Sequence, residues 1–197
     1  SPEERKMRVA KAQKLMAEKQ IQAIILDAGV NMNYFTGISW YPSERSMLAV
    51  IPVKGEINFI CPAFEEDRFL ELAPTGTKVS IWEEDENPFA LTTCVLKGIG
   101  IEKGQIGIDE FCRFFIFDGL RKSDANFQFI SADPITIPCR IIKSPAEIAL
   151  MQKANDATVK AIQAGIAALS LGCSPRQISQ KIARLTQSRE LCLVLHQ

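Results

Sequence analysis

An α/β fold with a mixed, largely parallel sheet flanked by helices follows from three observations in the 197 residues. Short apolar, β-rich runs alternate with helical segments of about ten residues, the pattern of strands that cross over through helices. Two β-rich runs are separated by Lys54-Gly55-Glu56 alone, which places one antiparallel hairpin in that sheet. Hydrophobic residues make up 47% and charged residues 23%, enough for a sizeable core in one domain, or in one domain plus part of another.

Taken in order, Ser1 and Pro2 offer a cap and a first-turn residue, and Glu3 and Glu4 suit the positive end of a helix. Val9, Ala12 and Met16 then share one face, so residues 1–20 read as an amphipathic helix. QAIILDA (22–28) reads as a buried strand, and NMNYFTG (31–37) as a short helical turn ended by Gly37. RSMLAVIPV (45–53) and INFICPA (57–63) are the arms of the hairpin. FEEDRFLELA (64–73) returns to helix, KVSIWEE (78–84) is a strand, and Pro88 opens a helix over 88–99. QIGIDE (105–110) is a strand, FFIFDGLRKS (114–123) a helix and FQFISA (127–132) a strand. This unit is placed at residues 1–137. PITIPCRI (134–141) is expected to be a connection, because two prolines disfavour helix, with the linker itself at 138–143.

A second part begins at 144. Ser144 caps, Pro145 fits the first helical position, and Glu147 stands where a capping box needs an acid. Ile148, Met151, Thr158, Ile162, Ile166 and Leu169 make a stripe, filled in by Asn155, before Gly172 ends the helix. Ser174, Pro175 and Gln177 repeat the device, and Ile178, Ile182 and Leu185 give the next helix its apolar face. Charge changes at the same place. Residues 1–142 carry 16 Lys/Arg and 20 Asp/Glu, whereas 143–197 carry 7 and 3.

The whole chain has zero formal net charge, so bulk electrostatics gives no case for nucleic acid or an anionic membrane. No apolar run approaches the ~18 residues of a membrane span. The N-terminal stretch is polar and shows no signal peptide, and a start at Ser rather than Met implies processing or trimming. Cysteines 61, 94, 112, 139, 173 and 192 show no CxxC and no metal-type spacing. They read as buried reduced thiols, which favours a reducing compartment and a cytoplasmic location.

Little in the chain is chemistry-bearing. Gly98, Gly100 and Gly104 lie between a helix and a strand, the reverse of a dinucleotide site, and read as a helix stop plus turn. The single histidine, His196, stands one residue from the end, which disfavours a Cys–His or Ser–His–Asp arrangement. Glu83 to Glu86 could hold a cation, but a solvated loop is the preferred reading. Trp40, Tyr41, Glu44 and Arg45 occupy a Gly/Pro/Ser-containing loop. Large aromatics with an arginine suit a binding loop. The alternative is that Trp40 and Tyr41 cover the core edge while Arg45 pairs with Glu44 or another acid.

NYFTGISWYPSERSMLAVIP, KGEINFICPAFEEDRF, QIGIDE and above all RIIKSPAEIALMQKAN resemble the Xaa-Pro aminopeptidase/prolidase/creatinase family over nearly the whole chain. The resemblance implies a creatinase/prolidase-type N-terminal domain at 1–137, and at 144–197 the first two helices of an incomplete pita-bread catalytic domain. It implies a homodimer, peptides with proline at the second position as substrates, and two divalent metals (Mn, Co or Zn) in the full-length enzyme. The family's metal ligands are two Asp, one His and two Glu. After Lys143 this chain offers only Glu147, Asp156, Glu190 and His196, so no metal ligand or catalytic residue is carried over. The chain alone is expected to be inactive, with neither cofactor, nucleic acid nor membrane as partner. In creatinase-like relatives an aromatic and an arginine of this loop reach the partner's active site. Arg45 stands at the matching place, with Trp40 or Tyr41 as the aromatic. The Trp that some relatives carry before YFTG is Asn33 here. A stand-alone interaction or dimerisation module is the reading from a different class.

Overall fold

A computed structural model of the chain describes residues 1–167, Gly172 and 174–186. It divides into two compact units, Ser1–Ile141 and Ile142–Gln197.

The first unit runs α1 (Pro2–Lys19), β1 (Ile21–Asp27), α2 (Val30–Thr36), β2 (Leu48–Pro52), β3 (Asn58–Pro62), α3 (Glu66–Leu72), β4 (Lys78–Trp82), α4 (Pro88–Gly98), β5 (Gly104–Ile108), α5 (Phe114–Ser123), β6 (Phe127–Ser131) and α6 (Asp133–Arg140). The six strands form one sheet in the order β4-β3-β2-β1-β5-β6. The expected hairpin is β2–β3, and β2 is also antiparallel to β1. The pairs β1–β5, β3–β4 and β5–β6 are parallel. One strand, β2, therefore runs against the other five.

Both faces of the sheet are covered, which is why β1 and β2 read as continuous apolar runs rather than alternating ones. On one face Ile24, Leu26, Ala49 and Ile51 pack with Met16, Met32, Phe35, Phe69 and Ile135. On the other Ala23, Ile25, Leu48 and Val50 pack with Leu96, Ile116 and Leu120. The capping box of α1 is complete: Glu4 N donates to Ser1 Oγ at 3.3 Å, and the Glu4 carboxylate bonds the Ser1 amine. Gly37 ends α2 with φ 78°, a left-handed conformation that favours glycine. The glycines at 98–104 form the helix stop and turn expected of them, with Gly98 closing α4 and Gly104 opening β5.

One expectation fails here. PITIPCRI is not an irregular connection, because Asp133–Arg140 is a helix, and its last residues fall inside the linker placed at 138–143. Pro134 lies in the first turn, where a missing N–H has no intrahelical partner to lose. Pro138 removes one bond to that same turn. Tertiary contacts offset the loss: Ile135, Thr136 and Cys139 are buried. Tyr34 Oη donates to Cys139 O at 2.7 Å, and Lys11 Nζ donates to Pro138 O at 2.7 Å.

The second unit contains α7 (Pro145–Ala167) and α8 (Pro175–Thr186). Both start at the capping boxes read from sequence. Ser144 N donates to Glu147 Oε2 at 2.7 Å, and Glu147 N to Ser144 Oγ at 3.2 Å. Ser174 N donates to Gln177 Oε1 at 2.9 Å. Ala161 and Gly165 are the buried residues of α7. A Cβ on Gly165 would stand 2.3 Å from Ile182 Cγ1, so glycine lets α8 approach closely. The stripe members Ile148, Met151, Ile162 and Ile166 are exposed. Leu169, Cys173, Glu190, Cys192 and His196 lie outside the described residues. No helix among the described residues is long and apolar enough to cross a membrane.

Candidate functional site

Residues 38–47 connect α2 to β2. Trp40 is buried, packs on Phe69 with ring centroids 6.5 Å apart, and has the Arg68 guanidinium 4.7 Å above its ring. Tyr41, its neighbour, is 80% exposed. The two aromatics of the loop are thus separated: one anchors it and the other faces solvent.

Arg45 also lies at the surface. Its Nε and Nη2 donate to Glu84 Oε1 and Oε2 at 2.6 and 2.8 Å, and Nη1 donates to Glu44 Oε1 at 2.7 Å. The fork onto Glu84 is the geometry that suits a guanidinium and a carboxylate. It raises the pKa of Arg45 and lowers that of Glu84. The acidic run 83–86 is therefore a loop that pairs with an arginine and closes on itself, since Glu83 N donates to Glu86 Oε2 at 2.8 Å.

A polar cluster that sequence reading missed braces this loop. β1 and β5 are parallel neighbours, so Asp27 and Asp109 emerge side by side at their C-terminal ends. Asp27 is 1% exposed. Its Oδ2 and Oδ1 accept from Arg113 Nε and Nη2, each at 2.8 Å. The same guanidinium donates to the carbonyls of Ser43 and Arg45, so it ties the loop to the sheet. Hydrogen bonding to Asp27 raises the Arg113 pKa further. Next to it, Asp109 Oδ1 accepts from Asn31 Nδ2 at 2.7 Å and Phe111 N at 3.1 Å. Burial outweighs these bonds and pushes the Asp109 carboxyl up to about 6. Thr136 Oγ1 donates to Glu110 Oε2 at 2.9 Å, and Arg140 bonds Asn31 Oδ1. Burial opposes ionisation of Glu110, but its hydrogen bonds and Arg140 hold the pKa below the usual carboxylate range. The signal was faint: each strand ends AIILD or IGID, an acid directly after an apolar run. Only the β1–β5 pairing shows that the two acids meet.

Each acid in this cluster already has protein donors. Among the described residues no group of three or more His, Cys, Asp or Glu is arranged to hold a metal ion. The described residues do not fit a two-metal centre, and no chemical step follows from them. Cys61 and Cys139 are buried, and Cys112 is half-buried. Burial pushes the Cys61 and Cys112 thiols up to about 12, so neither is a thiolate nucleophile. Cys94 departs from the expected burial, because it is exposed on α4.

Comparison with known proteins gives the same frame. The model of the creatinase/prolidase N-terminal domain matches residues 8–142. An uncharacterized peptidase of Schizosaccharomyces pombe is 33% identical over 184 residues, 86% of this chain and 39% of its own length. A recombinant prolidase from Thermococcus sibiricus superposes with a TM-score of 0.81 at 23% identity, over 93% of this chain and 49% of that one. The N-terminal domain of an Xaa-Pro dipeptidase from Lactobacillus brevis superposes with a TM-score of 0.60 at 18% identity, over 68% of this chain and 98% of that one. The chain spans half or less of the two longer proteins. With more than half of its residues matched by the family model, the chain belongs to the creatinase/prolidase N-terminal domain family.

Proposed function

We propose that this chain is the N-terminal part of a proline-directed metallopeptidase of the Xaa-Pro aminopeptidase or dipeptidase kind. The observation that carries this reading is the family match over 8–142 in a chain that spans 39% of a related peptidase. In this reading the two divalent metals (Mn, Co or Zn) and their ligands belong to sequence beyond α8, on a pita-bread domain that α7 and α8 begin. The substrate is a peptide with proline at the second position. Free thiols at Cys61, Cys94, Cys112 and Cys139 suit a reducing compartment such as the cytoplasm.

The role of this part is to dimerise and to cap the partner copy's cleft with the loop at 40–45. Trp40 anchors the loop in the core, while Tyr41 and Arg45 supply the contact. Arg45 exchanges Glu84 for a carboxylate of substrate or partner, which keeps its fork of donors satisfied. The test is a longer reading frame containing this chain, assayed with metal on proline peptides. Arg45→Ala is expected to lower kcat/KM by roughly tenfold or more, the loss of a charge-assisted hydrogen bond, with an unchanged Tm. An unchanged kcat/KM sinks the capping role, and hydrolysis by the pure 197-residue chain sinks the division of labour.

A second reading, a stand-alone dimerisation module, is favoured by one observation: Ile148, Met151, Val159, Ile162 and Ile166 are all exposed on α7. A monomeric mass in native mass spectrometry excludes it.

A further inference from the structure

A groove on the first unit, lined by no residue of the 40–45 loop and by neither Asp27 nor Asp109, has a volume of about 620 Å³. It lies between α1, the β2–β3 turn and the α3–β4 connection. Its size falls in the range of roughly 300–1,000 Å³ typical of small-molecule sites. Val9, Phe35, Ile38, Ile57 and Phe59 give it an apolar wall. Phe35 and Ile38 are each 1% exposed and Phe59 3%, so the floor is the edge of a packed core rather than a mobile surface.

Its charged groups are unevenly paired. Lys78 and Glu56 bond each other at 3.1 Å. Arg5 is half-buried, and its side chain has no hydrogen bond or ion pair among the described residues. Its guanidinium lies against Gly37, where a Cβ would stand 2.0 Å from Arg5 Cζ. Glycine at 37 thus serves both the left-handed cap of α2 and the seat of this cation. The C-terminal end of α2 attracts a positive charge without supplying an acceptor. The planar donor fork of Arg5 therefore stands at an apolar groove with no protein acceptor among the described residues. Lys6 adds a second cation on the same rim.

We propose that this groove binds a small carboxylate with an apolar body, a medium-chain or aromatic carboxylic acid. The carboxylate takes two bonds from Arg5, and the apolar part covers the partly exposed Val9 and Ile57. Burial of the body against Val9 and Ile57 supplies affinity, and the fork supplies selectivity for the anion. The inference rests on the groove alone and stands whether or not the peptidase reading holds.

The experiment titrates the 197-residue chain with octanoate, octanol and octylamine by calorimetry, and locates binding by amide NMR shifts. Octanoate is expected to bind, with shifts at Gly37, Gly55, Ile57 and Gly76. Octanol is expected to bind at least about tenfold more weakly, since it lacks the charge-assisted bonds, and octylamine not at all. Arg5→Gln is expected to weaken octanoate by roughly tenfold or more while leaving octanol unchanged. Ala10→Glu, which puts a carboxylate on an exposed groove residue of α1, is a second route to the same loss should the first variant misfold. Equal affinity for octanoate and octanol, octanoate shifts confined elsewhere, no octanoate binding, or parental affinity in a folded Arg5→Gln variant would each overturn the proposal.

Discussion

Helices α1 and α7 begin alike. Each has a serine cap, proline at the first position and a glutamate three residues after the serine that completes the box. Their surroundings then diverge. α1 lies on the sheet, with Ala12 and Met16 fully buried. α7 buries Ala161 and Gly165, while Ile148 and Met151 on the stripe remain 56% and 57% exposed. Capping is a local matter of four residues and places a helix start wherever it occurs. Burial needs a second surface, which the sheet supplies to α1 and which α8 supplies to α7 at Gly165.

The largest expected effect tests how interlocked the first unit is. Arg113→Ala leaves Asp27, 1% exposed, as a buried carboxylate without its cation and frees the 40–45 loop. A loss of about 3–5 kcal/mol is expected, read as a lower urea midpoint for the first unit. A loss under about 1 kcal/mol would mean that Asp27 is not held by this pair.

A smaller effect has the opposite sign. Burial raises Asp109 to about 6, above its unfolded value of about 4. The folded state therefore holds this proton more tightly, and the resulting stability is full below about pH 4 and lost as pH rises through about 6. Asp109→Asn keeps an Oδ1 acceptor for Asn31 and Phe111 and removes the charge. It is expected to stabilise the protein by roughly 2–3 kcal/mol at pH 7.5 and by little at pH 4. Thermal unfolding at the two pH values reads the difference, and an equal shift at both would assign the effect to something other than this titration.

The smallest effects belong to α7. Ser144→Ala is expected to cost about 1 kcal/mol of helix stability, seen as faster amide exchange in the first turn. Ile162→Ser on the exposed stripe is expected to stay within about 0.5 kcal/mol if the chain is monomeric. A much larger loss would show that a second surface covers the stripe in solution and would erase the contrast with α1.

Most elements were legible because their signals are local. The run QAIILDA, the Lys-Gly-Glu turn and the capping boxes each name an element within a few residues, and each lies where it was read. The helix at 133–140 was not legible, because proline propensity and tertiary packing pull in opposite directions there, and the packing of Ile135, Thr136 and Cys139 prevails. Within the candidate site, Arg45 and its acidic partners could be anticipated from composition. Trp40 and Tyr41 are adjacent and chemically alike, so their opposite exposures could not.

By itself the sequence determined the α/β class, the hairpin, the helix starts and the scarcity of ligands after Lys143, because periodicity, turn chemistry and capping act over a few residues. Only the tertiary structure decided which residues meet. Asp27 and Asp109 are brought together by parallel pairing of strands that stand 82 positions apart in the chain. Arg113 then clamps a loop it could not be matched with from sequence. Arg5 lies over Gly37 at an apolar groove for the same reason, since long-range packing, not local pattern, sets which charges find partners.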